Sequence, residues 1–309
     1  MTKLKLFCHN RDPVWKSYGP SIFDRLITHA SNLRELEWRP NVDVSSIKQC
    51  RYLHCLTYLH LSIFEPDADV CTNPEYETGY RHIPVLDNLA GCTALRCLII
   101  VIEVGGVDRP CLTNQRWDYI QSEQSKLQPV HFPNLCLFAI TGHVIWVQRS
   151  LAQMKPTLPQ LKFLSMDIRV GFYHGVLRGV NFWPAILETL SGCSKLSSFG
   201  VGSGECLLDA KIVGKALFFD FARLIQPLAR SKDTLETIHV DKWLIIDCER
   251  DGGIPALAEA FPRLSSMSFP DGSSITHATM RNRDAVSAQM SRLDKWYLKH
   301  GIPAFTFKN

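Results

Sequence analysis

The sequence lacks long apolar runs. Its longest uninterrupted aliphatic stretch is Leu98 to Ile102, far short of the roughly 20 residues a membrane-spanning helix requires. No transmembrane helix and no membrane partner are therefore expected. The opening MTKLKLFCHNRD has too short an apolar segment for a secretory leader and no small-residue cleavage site. No asparagine stands in an Asn-x-Ser/Thr sequon, so the usual mark of a glycosylated surface is missing too. The expected location is cytoplasmic or nuclear. Net charge is only +4 over 309 residues, and lysine and arginine form no stripe with interleaved aromatics, so nucleic acid is not the expected partner.

Chemistry-bearing motifs are missing as well. The eleven cysteines are odd in number and scattered, a pattern of reduced thiols in a core rather than of a disulfide framework. Cys50 and Cys55, like Cys92 and Cys97, stand five apart, which is not the spacing of a zinc knuckle. VGSGE, from Val201 to Glu205, lacks the full Gly-x-Ser-x-Gly elbow. GGVDR and GSGE are too short to cradle a phosphate. The histidines are dispersed. No catalytic site, cofactor or metal is expected, and the chain is not read as an enzyme.

What is present is a cadence. With 46% hydrophobic and 21% charged residues the chain has the composition of a folded protein, and its apolar residues keep returning as LxxLxL. The clear copies are LRELEW from Leu33, LTYLHL from Leu56, LRCLII from Leu95, LCLFAI from Leu135, LKFLSM from Leu161, LSSFGV from Leu196, LETIHV from Leu235 and LSSMSF from Leu264. MTKLKL at Met1 and IPAFTF at Ile302 fit more weakly, making about ten rungs. Positions four and six fall on one face of a short strand, while position one turns inward before it. Intervals run irregularly from 23 to 40 residues, room for a return segment between strands.

Several returns are legible as helices: SIFDRLITHAS with Ser21 and Asp24 as a capping pair, PVLDNLAGC, VIWVQRSLAQM, NFWPAILETLSGC and ALFFDFARLIQPLARS. Cys92 and Cys193 stand three residues before a rung leucine, where a small soft side chain suits a buried turn. FPNL, LPQL and FPRL end other returns with a proline that bars further helix. The expectation is a single α/β solenoid over 1–309, a leucine-rich-repeat horseshoe with a parallel sheet on its concave face and helices on its convex face.

HASNLRELEW, LAGCTALRCLII, LSGCSKLSSFGV, SKDTLETIHV and FPRLSSMSF resemble the leucine-rich-repeat regions of F-box proteins of higher fungi. The resemblance implies a substrate-recognition receptor of a cullin-RING ubiquitin ligase, with a protein bound on the repeats and an adaptor docked by an F-box. The sequence shows no helical trio with the Leu-Pro opening of an F-box, and Met1 already falls in a rung, so the expectation divides between a fragment or shortened relative of such receptors and a chain that binds without recruiting a ligase.

Two segments interrupt the cadence and are expected to be inserted loops, 66–84 and 105–131. The second carries TNQRWDYIQSEQSKL, read as a short helix opening near Thr113 with Trp117 and Ile120 inward. At the C-terminus, 274–309 is expected to be a capping helix from Ser274 to a stop at Gly301, followed by the IPAFTF strand. Lys299 and His300 suit the negative end of that helix's dipole.

Strand alternation turns rung positions three, five and seven away from the core. These include Glu35, Glu37, Arg39, Ser62, Cys97, Ala139, Thr141, Ser165 and Thr237. The residues expected to bind a protein partner are Tyr58, His60, Ile99, Val101, Leu137, Phe163, Asp167, His239 and Asp241. The apolar members among them form a patch of the kind that marks interaction sites, unless an insert folds over it. The alternatives are a ligase-independent scaffold and an enzyme whose site lies in 105–131, around Asp108, Trp117, Asp118 and Tyr119.

Overall fold

Apolar residues two apart need one buried face, and the rungs answer that need as strands. The computed structural model describes residues 2–6, 22–30, 32–42, 53–65, 85–104, 127–169, 183–202, 218–219, 221–240, 245–246 and 253–300. The architecture is α/β with mostly parallel strand pairing. The chain divides into two units, Met1–Pro110 with Gln115–Leu161, and Cys111–Asn114 with Lys162–Asn309.

In the first unit β1 (Lys3–Leu6), β2 (Glu35–Val42), β3 (Tyr58–Glu65), β4 (Cys97–Val104) and β5 (Leu137–His143) pair in chain order, each pair parallel. The register aligns rung position four as Leu36, Leu59, Leu98 and Phe138, all fully buried. Position six aligns Trp38, Leu61, Ile100 and Ile140, also buried. The register slips between Trp38 and Val42, where Pro40 has no N–H to give the ladder.

The second unit repeats the plan. β6 (Phe163–Arg169), β7 (Ser198–Gly202), β9 (Thr237–Val240) and β11 (Ser266–Ser268) pair in parallel, while β8 (Phe218–Phe219) and β10 (Ile245–Ile246) make a separate parallel pair. Position four is Leu164, Phe199, Ile238 and Met267, again buried. Strands thus stand at nine of the expected rungs; the tenth, IPAFTF, lies outside the described residues.

One hydrogen-bonded fork recurs although the repeats differ in length. The amides of rung positions two and three both donate to the position-two carbonyl of the preceding rung. Thr57 and Tyr58 share Arg34 O at 2.8 and 3.1 Å, and Cys136 and Leu137 share Arg96 O at 2.9 and 3.0 Å. In the second unit Ser197 and Ser198 share Lys162 O at 2.8 and 3.0 Å. Length variation is therefore absorbed in the returns and leaves the strand entrance unchanged.

A further core position precedes seven of the described strands. Ala30, Leu53, Cys92, Phe132, Leu158, Cys193 and Phe261, each three residues before a rung leucine, are all buried. In all but the Cys193 case the rung leucine's amide donates back to that residue's carbonyl, as Leu33 does to Ala30 at 2.8 Å. Burial pushes the Cys92 and Cys193 thiols up to about 12. Because the folded value lies above the ordinary 9.0, the neutral thiols support folding fully below that pH. Their contribution is lost as pH rises from there toward 12, since only the unfolded chain can ionise them freely. Urea midpoints should fall with pH above 9.0, and combining Cys92→Ala with Cys193→Ala should flatten that slope.

The returns carry helices at residues 22–29 (α1), Val85–Leu89 (α2), Val144–Gln153 (α3), Trp183–Leu190 (α4) and Ile254–Ala260 (α5). Spacings of three and four set their inner faces: Val85, Leu86 and Leu89 in α2, and Trp183, Ile186, Leu187 and Leu190 in α4. The expected helix over ALFFDFARLIQPLARS does not form. Phe221–Leu224 and Ala229–Ser231 are separate 3-10 turns, because Pro227 between them removes an amide and clashes with the carbonyl four residues back. α5 was not singled out by the sequence reading, although Pro255 occupies its first turn. Ser21 lies outside the described residues.

Two buried hydroxyls tie successive repeats. Thr157 Oγ1 accepts from Phe132 N at 3.0 Å and donates to Val130 O at 3.3 Å. Ser231 Oγ accepts from Leu196 N at 3.2 Å and donates to Cys193 O at 3.1 Å. Both residues are fully buried, so removing the oxygen strands a donor and an acceptor away from water. Thr157→Val and Ser231→Ala should each lower stability by about 2 kcal/mol in urea titrations.

The C-terminal region departs from one long helix starting at Ser274. β12 (Ser274–Thr276) pairs antiparallel with β11 across a turn in which Gly272 has φ 80°, a left-handed conformation suited to glycine. α6 (His277–Met280) and α7 (Arg283–Lys299) follow. Asn282 separates them, its Oδ1 accepting from Asp284 N at 3.1 Å and Ala285 N at 3.2 Å as an N-cap. Arg292 Nε lies 3.2 Å from Asp271 Oδ2, and Gln289 Nε2 donates to Ser273 Oγ at 2.5 Å. Both contacts bind α7 to the hairpin turn. No helix among the described residues is long and apolar enough to cross a membrane.

Candidate functional site: the outward face of the parallel strands

With positions four and six buried, positions three, five and seven of the first unit share the other face. Register aligns Lys3, Glu35, Tyr58, Cys97 and Leu137 at position three and Lys5, Glu37, His60, Ile99 and Ala139 at position five. Ser62, Val101 and Thr141 follow at position seven. The face is charged over β1 and β2 and apolar over β4 and β5.

The charged end is internally compensated. Lys3 pairs with Glu35, and Lys5 Nζ lies 2.8 Å from Glu37 Oε2. The other carboxylate oxygen, Glu37 Oε1, lies 3.6 Å from His60 Nδ1. Glu37 is only 5% exposed, so it faces outward as expected but is covered rather than open to solvent. A carboxylate flanked by registered partners from both neighbouring strands can stay charged while covered. Ser62 is likewise buried, beside Val101 in the β4 register. Sequence reasoning did not assign Lys3 and Lys5 to this face, although the alternation of Lys3, Leu4, Lys5 and Leu6 carries the signal.

Tyr58, His60, Ile99, Val101 and Leu137 are all half-buried on three consecutive strands. The structure therefore brings together the first-unit residues expected to bind a partner. Gly142 lies in the same sheet, where an added Cβ would come 3.2 Å from Ile102 Cβ; a side chain there would press on its neighbour.

The second unit has a different face. Phe163 is 43% exposed at position three of β6, and Asp167 is half-buried at position seven. Beyond them the registered residues are small or polar: Ser165, Gly200, His239 and Ser268 at position five, and Ser198, Thr237 and Ser266 at position three. A Cβ on Gly200 would meet Ser165 Oγ at 2.7 Å, so glycine there lets the Ser165 side chain fit. Asp241 lies outside the described residues, as do the insert at 66–84 and residues 105–126 of the insert at 105–131, with Asp108, Trp117, Asp118 and Tyr119.

His239 Nδ1 and Ser268 Oγ are 2.7 Å apart, a contact that in another setting would suggest a general base and a nucleophile. Here β11 is paired on both edges, with β9 and with β12. Its ladder amides are thereby committed rather than free to hold an oxyanion. His239 is itself exposed. The contact acts as a cross-strand polar pair. Among the described residues no group of three His, Cys, Asp or Glu side chains is placed to hold a metal ion.

Compared with protein-family models and with curated proteins, the sequence matches none.

Proposed function

We propose that the strand-and-return units are leucine-rich repeats of a horseshoe-type solenoid, and that the outward face of the parallel strands binds another protein. The observation that carries this reading is the grouping of Tyr58, Ile99, Val101 and Leu137, half-buried and in register on β3, β4 and β5. Aromatic and aliphatic residues held on a rigid sheet with a charged border have the anatomy of an interface core and rim. The strand entrance fork, repeated in both units, supports the repeat reading, since within each unit it gives successive rungs the same relation to the one before.

The repeats depart from the leucine-rich consensus at its ninth place, where asparagine or cysteine is usual. Asn41 alone keeps it among the eight clear rungs; Phe64, Glu103, His143, Arg169, Gly204, Trp243 and Gly272 occupy the others. Buried hydroxyls such as Thr157 and Ser231 supply inter-repeat polar ties in this chain instead.

The resemblance to F-box proteins supplies the partner's role: a protein held for ubiquitination by a cullin-RING ligase. The test is affinity capture from the native cell with the full chain and with Ile99→Asp. A partner lost with the variant supports the face. Cullin-ligase subunits recovered alongside it support the receptor, and a stable partner without them supports a ligase-independent scaffold. Equal capture by both chains overturns the face.

A further inference from the structure

We propose that Cys97 and Cys136 form an oxidation-sensitive dithiol between adjacent strands, closing to a disulfide when a peroxide-class oxidant reaches them. This inference does not rest on the binding reading, although Cys97 stands at position three of the same face.

The placement follows from the rung geometry. Cys97 is registered with Leu137, so Cys136 stands one residue toward the strand entrance on the neighbouring rung. With strands about 4.8 Å apart and a rise of about 3.3 Å per residue, such a diagonal pair has its Cα atoms roughly 5.8 Å apart. That lies within the range of about 4.4–6.8 Å that a disulfide spans. The Cys136 side chain is also turned the right way. Its Sγ donates to Arg96 O at 3.2 Å, and the Arg96 carbonyl is bonded directly to the Cys97 amide.

That orientation is set by a position rather than by cysteine. At the same place in other rungs Thr57 Oγ1 donates to Arg34 O at 3.0 Å, Ser197 Oγ to Lys162 O at 3.0 Å, and Ser265 Oγ to Glu236 O at 2.9 Å. Position two thus points its polar atom back at the preceding rung. Only in the rung from Leu135 does a thiol do so with a second thiol, Cys97, as its neighbour. Both cysteines are free and half-exposed, whereas Cys92 and Cys193 are buried.

The two sulfurs are also electrostatically linked. Burial pushes the Cys97 thiol up to about 11, and the neighbouring Cys136 adds to the rise. Cys97 is therefore a protonated thiol at neutral pH, and the proposed sequence starts at the other sulfur, Cys136. Its sulfur attacks the peroxide, giving a sulfenic acid and one water. The Cys97 sulfur then displaces the hydroxyl of the sulfenic acid as a second water, forming the S–S bond. Two thiols and one peroxide become one disulfide and two waters, the two electrons passing from sulfur to oxygen.

The experiment treats the reduced full chain with hydrogen peroxide, blocks the remaining thiols with a maleimide, and maps the cysteines by mass spectrometry. The expected product is a linked Cys97 and Cys136 peptide that dithiothreitol reopens. In Cys97→Ser, Cys136 should stop at the sulfenic acid and be trapped by dimedone. Cys136→Ser keeps the position-two hydrogen bond in the form Ser197 and Ser265 use, so it should fold, as circular dichroism would verify, and yield no linked peptide at Cys97. Maleimide on both sulfurs after the exposed Cys55 has been oxidised would overturn the proposal, as would Cys136 linked to any other cysteine.

Discussion

Phe138→Ala is expected to destabilise the protein by about 3–5 kcal/mol, the range for truncating a fully buried phenylalanine. Phe138 occupies position four of β5, is fully buried, and lies in register against Leu98. Truncation removes the ring's transfer free energy and leaves a cavity that main-chain ladder bonds on β5 prevent from collapsing. Native stabilities are about 5–15 kcal/mol, so a large share would disappear. In urea unfolding the midpoint should drop with little change in slope. Phe163→Ala is the matched control: the same residue type at position three, 43% exposed, should cost well under about 1 kcal/mol. If the two variants cost the same, the assignment of rung positions to faces is wrong.

That contrast reflects what the sequence makes visible. Leucines at positions four and six are legible because any strand must bury one face, and Leu59, Leu98 and Leu164 would read that way in many folds. The core position three residues earlier was legible only in parts. Ala30, Leu53, Cys92, Phe132, Leu158, Cys193 and Phe261 share burial but little chemistry, and only the common turn identifies them as equivalent. Ser274, Ile275 and Thr276 read locally as the start of a helix, yet pairing with β11 draws them into a strand. That is a tertiary choice which local preference does not encode. Glu37 shows the same limit on the face. Alternation correctly turns it away from the core, but its cover comes from Lys5 and His60, which register delivers from two other strands. The shared placement of Tyr58, Ile99, Val101 and Leu137 was legible because position within a rung fixes the face, and stacking in register follows from it.

Ile99→Asp is expected to weaken partner binding by about 3 kcal/mol, more than a hundredfold in Kd, by placing an uncompensated charge where the interface core must shed water. The free protein should tolerate the change. Ile99 is half-buried rather than enclosed, so in the free protein the new carboxylate can reach water. A shift below about 1 kcal/mol in urea unfolding is therefore expected. In the complex the same carboxylate would be pressed between Val101, Leu137 and the partner surface, with water excluded and His60 already facing Glu37 at 3.6 Å. The cost thus falls on binding rather than folding. Thr93→Asp adds the same charge at an exposed site on the return before β4 and should leave Kd within about twofold. Isothermal titration with the captured partner reads both variants. Equal weakening would mean that added negative charge repels the partner at any site, whereas unchanged binding in both would place the partner elsewhere on the chain.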